Sequence, residues 1–97
     1  MRLVIAAPAN GAILKDALKA HLQNDPRVSS LVDLSSPEGT YPQLSFAAAE
    51  EVAAGRADRA LLICGTGVGT AIAANKVRGI RAATAHDLLT VRGSVEN

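Results

Sequence analysis

The sequence predicts a single three-layer α/β/α domain built on a parallel sheet, and three observations carry that prediction. Short apolar runs alternate along the chain with segments of helical period, as strands and crossover helices do in βαβ units. The run ALLIC, residues 60–64, is apolar at every position, as expected of a strand buried on both faces. The composition is 48% hydrophobic with Tyr41 and Phe46 as the aromatic residues, so a core must be made of Ala, Val, Leu and Ile, which suits Ala-rich helices lying close on a sheet. Ninety-seven residues suffice for one such domain, residues 1–97, with one site and no internal linker.

Each element has its own signal. Leu3 to Ala7 reads as the first strand, and Gly11 to Gln23 as a helix, because Ile13, Leu14, Ala17, Leu18 and Leu22 form one stripe. Val28 to Leu34 is a weaker strand, diluted by Ser29 and Ser30. The turn-rich SSPEGTYP leads to a helix from about Gln43 to Ala54, stopped at Gly55. Arg59 to Cys64 is the third strand, Thr70 to Lys76 a short helix, and Ile80 to Thr84 a fourth strand after the turn at Gly79. From Asp87 onward DLLTVRGSVEN has a helical pattern. The whole is a Rossmann-like order of strands and crossovers, in which ligands bind beyond the carboxyl ends of the strands. That rim collects the loops that begin near Pro8, Gly65 and Ala85, and with them Cys64, His86 and Asp87.

Composition excludes several function classes. A net charge of +1 with scattered Lys and Arg offers no electrostatic footprint for nucleic acid or an anionic membrane. The apolar start MRLVIAAPANG is too short for a transmembrane helix and lacks the cleavage pattern of a signal peptide, so a cytoplasmic protein is expected. One cysteine forms neither an internal disulfide nor a zinc set, so Cys64 is either a small buried apolar residue or a working thiol. No metal and no cofactor are expected.

The stretch LLICGTGVGTAIAANK, residues 61–76, concentrates the chemistry. Gly65, Gly67 and Gly69 allow positive φ and a close backbone approach, and the turn delivers N–H groups to an anion at a helix N-terminus. It is not a P-loop, which ends in Gly-Lys-Ser/Thr, nor a dinucleotide loop, whose third small position would be Thr70 and which follows the first strand, whereas this loop follows the third. A low-molecular-weight phosphatase loop needs arginine where Thr70 stands. A thiol at such a loop is a candidate base, because the N–H groups favour its anion and hold charge that develops on a nearby oxygen.

Residues 57–87, ADRALLICGTGVGTAIAANKVRGIRAATAHD, closely resemble the central block of the type B ribose-5-phosphate isomerases and the related galactose-6-phosphate isomerase subunits, and TYPQLSFAAAEEVAAGRAD before it matches their Tyr-Pro helix. The resemblance implies a metal-independent aldose–ketose isomerase acting on a phosphorylated sugar, with an oligomer of at least two copies. It implies that Cys64 is the base that moves a proton between adjacent carbons, that Thr66 hydrogen-bonds near it, and that His86 assists ring opening. Gly65, Gly67 and Gly69 match the anion loop, Tyr41 lines the site, and Asn10 and Asp87 are further substrate-binding candidates. Pro8-Ala9 stands where such proteins usually carry Asp-His, and their His-Asn pair would begin at Asn97. The final strand and helix, with phosphate-binding arginine, are missing from this chain, which reads as C-terminally truncated.

Two other readings compete. A non-catalytic partner subunit would keep the fold and loop and need another chain to complete its site, which the Pro8-Ala9 change favours. CGTGVGTA also resembles the cysteine loop of sugar-transport IIB phosphocarriers, although their cysteine follows the first strand and Cys64 follows the third.

Overall fold

The computed structural model describes residues 1–96; Asn97, where the resemblance starts a His-Asn pair, lies outside them. Three parallel strands, β1 (Arg2–Ala6), β2 (Ser30–Asp33) and β3 (Arg59–Leu62), form a sheet in the order β2-β1-β3. Val4 sits level with Val32 on one side and Ala60 on the other. As the central strand, β1 is the most buried, with Leu3 through Ala6 all at 6% exposure or less.

Helix α1 (Ala12–Gln23) joins β1 to β2, and α2 (Tyr41–Ala53) joins β2 to β3 across β1. A crossover that reverses direction while keeping its hand lands on the opposite face. The core follows that rule. Ile5, Ala7 and Ile63 pack with Leu18 of α1 and Leu31 on one face. Val4 and Ala57 pack with Ala48 and Val52 of α2, and with Ala60 and Leu62, on the other. Helices α3 (Val68–Asn75) and α4 (Leu88–Glu96) complete the described chain, and α3 lies against α2. The three-layer expectation therefore holds. The reversal opens a crevice between the ends of β1 and β3.

Local chemistry fixes the elements that border this crevice. Helix α2 starts at Tyr41, earlier than its apolar periodicity implies, because Thr40 and Gln43 form a reciprocal capping box with bonds of 3.4 and 3.2 Å and Pro42 occupies the first turn. A single turn of 3-10 helix, Ala9–Gly11, leads into α1. There Gly11 runs so close to β3 that an added Cβ would lie 2.8 Å from the Ile63 carbonyl oxygen. That approach brings the first loop beside the cysteine loop.

One expected element is absent. Residues Ile80 to Thr84 do not form a fourth strand. The backbone of Ala82 is taken up by the Asn75 side chain, which donates to its carbonyl at 2.8 Å and accepts from its N–H at 2.7 Å. The segment is thus tied to the end of α3, and β2 and β3 are the sheet edges among the described residues.

Candidate active site

Strand β3 continues its ladder for one residue past its end, with the Ile63 N–H donating to Ala6 at 3.0 Å, and then turns into the glycine loop. Gly67 caps α3 in the left-handed conformation, φ 80°, which a side chain would strain. This turn points the Gly67 N–H at the Cys64 sulfur, 3.1 Å away. The Thr70 hydroxyl approaches the same sulfur at 3.6 Å from the first turn of α3. Burial pushes the Cys64 thiol up, but the Thr70 side chain and the backbone N–H groups of Thr70, Thr66 and Gly67 outweigh it, so the thiol lies below its ordinary value. The loop has made a thiol that gives up its proton more readily than a free one.

Cys64 opens onto a cleft of about 540 Å³ lined by Pro8, Asn10, Thr40, Tyr41, Gly65, Thr66 and Gly69. The crevice thus gathers Asn10, Tyr41, Cys64, Gly65, Thr66 and Gly69 from the sequence-derived set. The Tyr41 ring stands close to Gly69, where an added Cβ would lie 2.7 Å from it, and the Asn10 amide nitrogen would stand 3.1 Å from a Cβ on Gly65. Thr66 both faces the cleft and shapes the loop, accepting the Val68 N–H at 3.2 Å.

His86 and Asp87 are placed differently. They do not line this cleft; their side chains are 73% and 51% exposed and face each other at 3.5 Å. Asp87 accepts the Thr90 N–H at 2.7 Å, while Thr90 accepts the backbone N–H groups of His86 and Asp87 at 3.0 and 3.2 Å, a reciprocal cap on α4. Two residues of the site were not singled out from sequence. Thr40 enters through the capping box that starts α2, a signal readable as Thr-x-x-Gln before an apolar run. Thr70 enters because one helical turn returns it to the cysteine. Among the described residues no cluster of His, Cys, Asp or Glu could hold a metal ion, and no helix is long and apolar enough to cross a membrane.

A parallel α/β domain with a cysteine in a glycine loop, at the reversal point of its sheet, has the architecture that places a small-molecule cleft beyond the carboxyl ends of the strands. The model of the ribose/galactose isomerase family matches residues 3–97, and the chain belongs to that family. It is 52% identical, over 98% of its length, to a D-erythrulose-4-phosphate isomerase 2 of Mycolicibacterium smegmatis, covering 65% of that protein. It is 47% identical to ribose-5-phosphate isomerase B of Escherichia coli over 74% of this chain and 49% of that one. The solved ribose-5-phosphate isomerase B of Clostridium thermocellum superposes with a TM-score of 0.90 at 36% identity, over 99% of this chain and 66% of that one. The chain thus spans about two thirds of the length of the first of these relatives and of the solved structure.

Proposed function

We propose that the protein interconverts an aldose and a ketose phosphate, with Cys64 as the base. The observation that carries this reading is Cys64 in the lining of the cleft, its sulfur held by the Gly67 N–H at 3.1 Å and its thiol below its ordinary pKa. The thiolate takes the proton from the carbon beside the carbonyl and leaves an enediolate. As the hydroxyl proton passes from one enediolate oxygen to the other, the resulting thiol returns its proton to the neighbouring carbon, so the carbonyl forms at the adjacent position, the base is restored and no external electron donor is needed. Loop N–H groups are the available donors for the charge on oxygen during the step. Asn10, Thr40, Tyr41 and Thr66 supply polar groups for the sugar hydroxyls. The protein acts as a homo-oligomer in the cytoplasm, an assembly that the two sheet edges β2 and β3 favour.

Similarity to the Mycolicibacterium protein makes four-carbon ketose phosphates the first substrates to try, ahead of the pentose phosphates named for the other relatives. The test is solvent deuterium wash-in at the substrate carbon, for the protein and for Cys64→Ser. The variant should keep its circular dichroism and lose about 10²- to 10⁴-fold in exchange rate, because a serine hydroxyl is too weak a base at neutral pH. Parental exchange by Cys64→Ser would make the cysteine structural. No exchange with any sugar phosphate by the intact parent would favour the partner-subunit reading.

A further inference from the structure

We propose that Thr70 is the positioning residue for Cys64: its buried hydroxyl donates to the Gly67 carbonyl while the sulfur carries a proton, and turns to the sulfur when that proton leaves. The inference rests on the reading of Cys64 as the base. Thr70 is 2% exposed, so no bulk water substitutes for its partners. A hydroxyl has one proton to give, and two acceptors compete for it. The Gly67 carbonyl lies 3.1 Å from Thr70 Oγ1, and the Cys64 sulfur lies 3.6 Å away. With a neutral thiol both needs are met, because the S–H donates to Thr70 Oγ1 and Thr70 donates to the carbonyl. A thiolate donates nothing. The arrangement then leaves an anion next to an oxygen lone pair, and the hydroxyl lowers its energy by turning its proton to the sulfur.

The carbonyl of Gly67 can release that proton because it is over-supplied. Besides Thr70, it accepts from the Ala71 N–H at 3.2 Å, which is the first backbone bond of α3, and from the Thr84 hydroxyl at 3.1 Å. Three donors converge on an oxygen with two lone pairs. When Thr70 turns away, two remain and the group stays satisfied. Thr84 comes from the segment beyond α3, the same segment that Asn75 holds in place. A stretch that forms no strand thus bears on the cysteine. The cleft lining carries one other titratable side chain, Tyr41 from the start of α2, and no Lys, Arg, His, Asp or Glu. Hydrogen bonding is therefore the available means of steadying the thiolate at this cleft.

The test reads the thiol and not the sugar chemistry, so its failure is separable from failure of the isomerase reading. The rate of iodoacetamide alkylation is followed against pH on the peptide that carries Cys64, in the parent, Thr70→Val, Thr70→Ser and Thr84→Val. Thr70→Val keeps the shape and removes the proton donor; its thiolate fraction at neutral pH should fall about tenfold, with the midpoint moved to higher pH. Thr70→Ser restores the donor and should titrate close to the parent, which a merely structural role would not require. Thr84→Val should move the midpoint the same way by less, because the carbonyl then competes harder for the Thr70 proton. A Thr70→Val profile that overlays the parent overturns the proposal. Should Thr70→Val not fold, the Thr84→Val profile decides, and no shift there overturns it.

Discussion

At the scale of single residues, the three alternate glycines looked interchangeable in the sequence and are not. Gly67 needs its positive φ, while Gly65 and Gly69 are crowded by side chains from other elements, the Asn10 amide and the Tyr41 ring. Sequence spacing could place all three on one loop but could not say which neighbour crowds which. A side chain brought in from another element has no local signature. The place of Cys64 on the rim was legible, because its strand and the loop after it both follow from the sequence pattern; its neighbour Thr70 was not, because a threonine in a first helical turn carries no signal of its own. Gly69→Ala separates crowding from backbone conformation. Alanine favours α3 by about 0.5–1 kcal/mol, yet its methyl displaces the half-exposed Tyr41 ring. Net stability should change by less than about 1 kcal/mol, while the emission of Tyr41, the chain's one tyrosine in the absence of tryptophan, should shift. Unchanged emission would mean that the ring does not rest on Gly69.

At the scale of elements, periodicity placed all three strands and the helices between them within a few residues, because burial against a neighbour layer imposes it. The misplaced element is the one where tertiary bonding overrides propensity. Residues 80–84 have a strand-like composition, and Asn75 takes the backbone groups that a strand partner would have used. Asn75 is the last residue of α3, and its amide also spans to Ala82. Asn75→Ala should cost roughly 1 kcal/mol, the value of two exposed hydrogen bonds partly replaced by water. The sharper readout is hydrogen exchange: the Ala82 amide should lose protection while β1 amides keep theirs. Equal protection in parent and variant would show that another contact holds the segment.

At the scale of the whole molecule, the layers are tied together by carboxylates that sequence alone left scattered. Asp58, just before β3, accepts from the Arg2 backbone N–H at 2.7 Å and pairs with the Arg2 guanidinium at 3.0 Å, clamping the starts of β3 and β1. Asp33, at the end of β2, receives Lys15 and Lys19 of α1 at 2.9 and 3.2 Å and the Ser35 N–H at 2.9 Å. Asp25 is bound by Arg27 in the turn between α1 and β2. The Arg2 side chain, helped by its backbone N–H, lowers Asp58 to about 2. Burial acts to raise Asp33, but its bonds to Lys15, Ser35 and Lys19 win and hold it far below the usual carboxylate range; Arg27 does the same for Asp25. A carboxylate whose pKa is lower folded than unfolded stabilises the fold fully above the unfolded value of about 3.9, and that contribution fades as pH falls through the folded value. Stability should therefore rise with pH between roughly 2 and 4 and level off above, read as the urea midpoint at each pH. Asp33→Asn removes the charge on the side chain that ties α1 to the sheet. It should lower the midpoint at neutral pH by the equivalent of about 1.5–3 kcal/mol and lose less on acidification than the parent. Parent and variant curves that stay parallel from neutral pH to about 2 would show that the acid sensitivity of this fold lies elsewhere.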